Sequence, residues 1–228
     1  MRNQLVTVGR LCISAVFLFS MSVSNAQNFP DLQERTAESL SGLANDETDK
    51  SVELADFNGD GLEDLIVTRR GQSAVLLINE NGVLTNRTGR WLADVEHSDS
   101  NYAEAFDANG DGNTDVVFAR LGPRAPRLYL NLGFNSAGEW LGFNEGADIN
   151  SAGVSSATNA LVIESGDVNS DGADDLFIIQ VELATNRLLL NDGFGNFSDA
   201  TERLGELGQL QRGHAALLAD VDLSLIHI

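Results

Sequence analysis

The sequence predicts an all-β chain built from repeated units, and three observations carry that prediction. A nine-residue segment rich in Asp, Asn and Gly occurs three times, with 51 residues between Asp56 and Asp107 and 60 between Asp107 and Asp167. Each copy runs straight into a short apolar, β-branched stretch: Leu65–Thr68, Val116–Ala119 and Leu176–Ile179. A second apolar stretch follows at a near-constant offset and ends in Asn, as Leu76-Leu77-Ile78-Asn79, Leu128-Tyr129-Leu130-Asn131 and Leu188-Leu189-Leu190-Asn191. Runs of about four to eight such residues bounded by turn formers read as buried strands. A period of about 40 to 50 residues signals propeller blades or solenoid units. A four-stranded blade with its turns needs about that length.

The repeated segments align without gaps: D-F-N-G-D-G-L-E-D from Asp56 to Asp64, D-A-N-G-D-G-N-T-D from Asp107 to Asp115, and D-V-N-S-D-G-A-D-D from Asp167 to Asp175. Positions 1, 5 and 9 are always Asp, position 3 always Asn and position 6 always Gly. That pattern suits a hard cation with an all-oxygen shell, above all calcium, about one ion per complete loop and so three in this chain. The side chains Asp56, Asn58 and Asp60, Asp107, Asn109 and Asp111, and Asp167, Asn169 and Asp171 are the expected ligands at positions 1, 3 and 5. The backbone carbonyls of Leu62, Asn113 and Ala173 at position 7 add an oxygen, and Asp64, Asp115 and Asp175 at position 9 close the shell. Gly at position 6 supplies the positive φ of a sharp turn. Close carboxylates repel unless a cation lies between them. One such nonapeptide is also an ordinary surface turn; three copies with five fixed positions favour the metal.

These loops are not EF-hands, which need a bidentate Glu at position 12 and flanking helices. Position 12 is Val67, Phe118 or Ile178, each inside an apolar strand candidate. The sites read as strand–loop–strand.

The 228 residues carry 34 Asp and Glu against 14 Lys and Arg, a formal net charge of −20. A field of that sign repels nucleic acid and anionic membranes and attracts cations. Lys50 is the only lysine; a salty habitat is one reading of the acidic, Lys-poor balance, and a surplus of metal ligands is the simpler one. Residues 1–26 read as a secretory signal peptide: Arg2 and Arg10 in a basic region, the apolar run Leu11–Val23, and Ser24-Asn25-Ala26 before Gln27. The apolar run is too short to span a bilayer comfortably, and no later stretch is apolar enough to do so. The expected location is therefore secreted or periplasmic, with no membrane span after cleavage. Cys12, the sole cysteine, lies in this leader, so the mature chain must find its stability without disulfides, and bound metal is one source.

The D-x-N-x-D-G-x-x-D loops and the N-x-G-F-G-x-F turn at Asn191–Phe197, together with the following Ser198-Asp199-Ala200-Thr201, resemble the FG-GAP/VCBS repeat family. The resemblance covers nearly all of the mature chain. It implies a β-propeller of four-stranded blades with calcium on the inter-strand loops, as in the integrin α-subunit head. The first repeat departs from the pattern at Asn79-Glu80-Asn81-Gly82, which lacks the aromatic residue. The longer second period arises from an insertion of about eight residues within 133–156, and insertions in repeats map to loops. Trp140 and Phe143 in it are read as packing residues rather than as an exposed patch.

At the N-terminal end, Asn28-Phe29-Pro30-Asp31 echoes Asn196-Phe197-Ser198-Asp199. Residues 27–50 are therefore expected to form a partial blade, with 28–45 as an outer strand that closes the ring. The repeat blades occupy 51–222. A fourth loop begins at Asp220 and Asp222, the last two metal-ligand candidates, but Ser224 and Leu225 stand where Asp and Gly are needed. The final residues 223–228 resemble the translation of a sequencing adapter and are expected to be a non-native tail on a truncated fragment. The expected architecture is thus an incomplete propeller, about three blades with partial blades at both ends.

Little in the sequence points to catalysis. His97, His214 and His227 are the only histidines. His97-Ser98-Asp99 has triad residue types, but neighbours in sequence do not form a triad. Three equivalent Asp clusters argue for structure rather than for one special acid/base site. Asn86-Arg87-Thr88 and Asn196-Phe197-Ser198 match a glycosylation sequon by type alone. The leading expectation is a non-catalytic calcium-binding scaffold for binding or cell adhesion, with an extracellular protein or glycan as partner and no nucleic acid. The alternative is the non-catalytic propeller portion of a larger secreted enzyme. Carbohydrate binding through Trp91, Trp140 or Phe143 is a weaker option.

Overall fold

Short apolar strands joined by tight turns pair most simply with their neighbours in sequence, and antiparallel. The computed structural model, which describes residues 49–92, 100–120, 124–149, 160–180 and 185–209, follows that rule throughout. Twelve strands form three four-stranded antiparallel sheets. The first blade is β1 (Asp49–Ala55), β2 (Asp64–Arg69), β3 (Val75–Glu80) and β4 (Val83–Asn86). The second is β5 (Ser100–Phe106), β6 (Asp115–Arg120), β7 (Arg127–Tyr129) and β8 (Ala147–Asp148). The third is β9 (Ala160–Gly166), β10 (Asp175–Gln180), β11 (Arg187–Asn191) and β12 (Phe197–Asp199). One helical turn, α1 (Thr88–Trp91), leaves the first blade, and two 3-10 segments within Thr201–Gln209, separated by a kink at Gly205, leave the third. No helix among the described residues is long and apolar enough to cross a membrane.

The sheets stack as propeller-like blades. The first strand of each blade lies beside the first strand of the next, β1 against β5 and β5 against β9. Each first strand carries one extra residue against its partner, at Lys50, Asn101 and Leu161. A bulge of this kind bends the strand and increases its twist. The middle blade explains why the sequence shows continuous apolar runs rather than alternation. Side chains along a strand point to opposite faces in turn. Val116 and Phe118 of β6 join a core with the first blade, while Val117 and Ala119 join a core with the third. Both faces are buried, so the four positions between Asp115 and Arg120 are all apolar. A further cluster of Leu65, Val67, Val75, Leu77 and Leu84 covers the opposite face of the first blade.

The insertion in the second repeat is a short hairpin rather than a loose loop. Asn131 bridges to Phe143 and Phe134 to Trp140, with Leu132 N–H donating to Gly142 O and Leu141 N–H to Gly133 O. Phe143 N–H donates to Trp91 O at 2.8 Å, which fastens the hairpin to the first blade. Gly142 makes this approach possible: a Cβ there would stand 2.7 Å from Trp91 Cβ, and its φ is +76°. Trp140 and Phe143 are buried, so they are packing residues and not a contact patch. The first repeat forms its outer strand β4 without the aromatic turn, through a tight turn with Asn81 at φ 58° and Gly82 at 91°.

The leader at 1–26, the partial-blade segment up to residue 48, His97, His214, Asp220, Asp222 and the tail at 223–228 lie outside the described residues.

Candidate metal centres

Each nine-residue segment joins the first strand of a blade to the second: β1 to β2, β5 to β6 and β9 to β10. The three are strand–loop–strand units, and a common set of hydrogen bonds recurs in all of them. The position 1 carboxylate gathers backbone amides from across the turn. Asp56 accepts from Asp60 N–H at 3.1 Å and Gly61 N–H at 2.8 Å. Asp107 accepts from the amides of Gly110, Asp111 and Gly112. Asp167 accepts from those of Asn169, Ser170, Asp171 and Gly172. The position 3 amide then clasps position 5: Asn58, Asn109 and Asn169 each donate Nδ2–H to the Asp two residues on, at 3.1, 2.9 and 2.8 Å. The position 5 carboxylates of Asp60, Asp111 and Asp171 accept the backbone N–H of Leu62, Asn113 and Ala173. Gly61, Gly112 and Gly172 at position 6 have φ of 85°, 84° and 86°, the left-handed turn the sequence pattern requires. Position 4 is left-handed as well, which sequence reading passed over; Gly59 and Gly110 take it freely, and Ser170 takes it at φ 63°.

Position 9 stands apart. Asp64, Asp115 and Asp175 are fully buried. Each ties its loop to the third strand of the same blade. Asp64 accepts from Phe57 N–H at 3.1 Å and Asn79 N–H at 2.8 Å. Asp115 accepts from Ala108 and Asn131 at 2.9 and 2.7 Å, and Asp175 from Val168 and Asn191 at 3.1 and 2.9 Å. Burial raises the carboxyls of Asp64 and Asp115 to about 6, and raises that of Asp175 too; the backbone amides pull each back only in part. At Asp111 and Asp167 burial also raises, but the loop hydrogen bonds outweigh it and hold both below the usual range.

The donor chemistry fits calcium. Every side-chain candidate at positions 1, 3, 5 and 9 offers oxygen, with no thiol or imidazole among them. A carboxylate has about four lone-pair sites, so the amides already bound leave capacity for a cation. Among the described residues no group of three or more Asp, Glu, His or Cys side chains is placed to hold an ion by itself. A calcium here would therefore draw on Asn58, Asn109 or Asn169 and on backbone oxygen as well as on the carboxylates.

The Asn at or just beyond the third strand of the second and third blades also reaches outside its own blade. Asn131 Nδ2–H donates to Thr114 O of its own blade at 3.1 Å and to Phe57 O of the preceding loop at 2.8 Å. Asn191 does the same with Asp174 O and Ala108 O, at 3.1 and 2.9 Å. Their Oδ1 atoms accept from Gly133 and Gly193 in the turn that follows. The nine-residue loop of one blade is thus latched to the turn of the next.

A second repeated acid was not among the sequence candidates. Glu53, Glu104 and Glu164 stand three residues before position 1 of their loops, on the first strands β1, β5 and β9. Glu104 accepts from Ser165 N–H and Oγ–H of the next blade at 3.1 and 2.8 Å, and Glu53 accepts from the Ala105 amide. Tyr102 Oη–H donates to Glu164 at 3.3 Å. Burial first and neighbouring glutamates second raise Glu53 to about 8 and Glu164 to about 7; burial also raises Glu104. The signal was a Glu at a fixed offset ahead of each loop, visible only when the repeat alignment is extended upstream.

Of the aromatic residues offered for carbohydrate, Trp140 and Phe143 are in the core, and Trp91 is half-buried with its ring 5.0 Å from Trp140. Among the described residues the exposed aromatics are Phe134 and Phe194, 51% and 77% exposed, in the turns beside the loops.

Two stretches, residues 56–118 and 107–178, match the family model described as FG-GAP-like repeat. Together they cover more than half of the chain. No curated protein matches it. Among solved structures, the chain is similar to a lectin from Agrocybe aegerita whose title describes specific recognition of non-reducing terminal N-acetylglucosamine. The two are 23% identical with a TM-score of 0.42 over 65% of this chain, and the matched part is 36% of the lectin.

Proposed function

The chain belongs to the FG-GAP-like repeat family, and from that premise we propose that it is an exported, calcium-binding scaffold that binds an extracellular protein or glycan without catalysing a reaction. The carrying observation is threefold repetition: three loops with the same Asp-Asn-Asp donors and the same Asn-to-Asp clasp, each latched to the next blade where one follows among the described residues. A reacting site needs one special constellation, whereas equal sites at equal places in successive blades serve the frame. Calcium would be held by Asp56, Asn58 and Asp60, by Asp107, Asn109 and Asp111, and by Asp167, Asn169 and Asp171, with the position 7 carbonyls and position 9 carboxylates as further oxygens. When bound it would neutralise the acids that crowd each loop. The ligand surface is the rim on which Phe134 and Phe194 stand exposed beside the loops; a flat aromatic face suits either a sugar ring or an apolar protein side chain. Export rests on the leader-like residues 1–26, and the loops suit the calcium levels outside cells.

Isothermal titration of the chelator-stripped chain with calcium tests this reading. Binding with a Kd of about 10⁻⁴ to 10⁻³ M is expected for an extracellular module, with a stoichiometry that falls by one when Asp107 and Asp111 are both replaced by Asn. Absence of any binding in that range overturns it.

A further inference from the structure

We propose that Asn58 is the chain's preferred site of spontaneous deamidation, a modification that sets the first loop apart from the other two. The chain has three Asn-Gly steps, Asn58-Gly59, Asn81-Gly82 and Asn109-Gly110. In such a step the glycine nitrogen can attack the asparagine Cγ, because no side chain shields the approach. The N–Cγ bond forms, the Cγ–Nδ2 bond breaks, and the amide proton leaves with Nδ2 as ammonia. Water then opens the resulting succinimide at either carbonyl and leaves an aspartyl or isoaspartyl residue at position 58.

The electrophile is equally prepared in two of the steps. Asn58 Oδ1 accepts Asp60 N–H at 3.0 Å, and Asn109 Oδ1 accepts Asp111 N–H at 3.1 Å, which polarises each side-chain carbonyl. The nucleophile differs. Gly110 N–H is held by Asp107 Oδ1 at 2.8 Å, and Gly82 N–H by Asn79 Oδ1 at 2.7 Å. The Ser170 amide at the same position of the third loop is held by Asp167 at 2.6 Å. Gly59 N–H has no acceptor among the described residues; Asp56 accepts from the amides of Asp60 and Gly61 but not from that of Gly59. Gly59 is also exposed, with the Phe134 ring beside its α-carbon and φ of +68°. An amide held by a carboxylate or carboxamide must first break that hydrogen bond before its nitrogen can turn to Cγ; Gly59 has none to break. Conversion adds a negative charge between Asp56 and Asp60. The isoaspartyl product also lengthens the main chain by one methylene inside a turn built on backbone amides.

The test ages the folded chain in mildly alkaline buffer with chelator, digests it, and follows all three steps by mass spectrometry. A parallel sample in denaturant gives each step's rate without the fold, and each folded rate is divided by it. After that division Asn58 is expected to convert about tenfold faster than Asn109 and Asn81, a factor equal to about 1.4 kcal/mol of barrier. Asn109 or Asn81 converting as fast as Asn58 or faster overturns the assignment.

Discussion

The core between the first and second blades is built around a chain of touching aromatic rings, whereas the core between the second and third is mainly aliphatic, with no ring-to-ring contact among the described residues. In the first, Trp140 packs on Trp91, and Phe143 stands edge-on to both Phe57 and Trp140. In the second, Leu128, Ile149, Ile163 and Leu189 pack with Phe106 and Phe197, and Tyr102 reaches across to Glu164. The latch is nonetheless the same in both. Asn131 bonds the Phe57 carbonyl as Asn191 bonds the Ala108 carbonyl, and the Asp at position 9 supports each Asn through its backbone amide. Polar groups with fixed geometry set how successive blades meet, and apolar filling varies around them. This is the division of labour expected when burial is non-directional and a buried hydrogen bond is not.

The comparison breaks most sharply at the aromatic junction. Trp140→Ala removes the ring between two blades and leaves Asn131 Oδ1 without the indole N–H it accepts at 2.8 Å. A loss of about 3 to 5 kcal/mol is expected by denaturant unfolding; a loss below about 1 kcal/mol would show that the insertion hairpin merely decorates the surface. Next is the position 9 acid. Asp115→Ala strands two backbone amides, Ala108 and Asn131, at about 1 to 3 kcal/mol each. Asp175→Ala should cost less, because Val168 in the same role is 40% exposed and water can replace the carboxylate, while Ala108 is fully buried. Equal costs would contradict burial of the stranded amide as the source of the difference.

The smallest effect comes from the half-buried glutamates that line the first strands, where water screens part of the interaction. Glu53 and Glu164 have carboxyls raised from 4.5 to about 8 and about 7. The folded chain therefore keeps protons that the unfolded chain releases. The associated stability is fully present below 4.5 and is lost as pH rises through about 7 and 8. The melting temperature in chelator should fall between about pH 5 and pH 8.5. A rise over that interval would mean these groups are charged in the folded state.

The blade was legible in the sequence because its turn chemistry is local. The left-handed Gly at position 6 and the apolar strand after each loop fell where the spacing put them; the following strand ends at its Asn only in the third blade, stopping at Tyr129 in the second and running on to Glu80 in the first. The buried assignment of Trp140 and Phe143 was legible too, but the hairpin that carries them was not, since its bonds run between residues with no alternating pattern. What position 9 does within the fold was hidden, because an Asp that ligates and an Asp that accepts two amides are the same letter. The latches of Asn131 and Asn191 were hidden for a related reason: their partners, the Phe57 and Ala108 carbonyls, belong to the backbone of another repeat and leave no trace in composition.

The central claim, that the three loops hold the scaffold together through calcium, is tested most directly by thermal unfolding of the chain with saturating calcium and with chelator. Free calcium at 100 times Kd stabilises a folded state by about 2.7 kcal/mol per site, so three sites should raise the melting temperature by many degrees, and reversibly. A melting temperature that does not change on chelation would contradict a structural role for the metal.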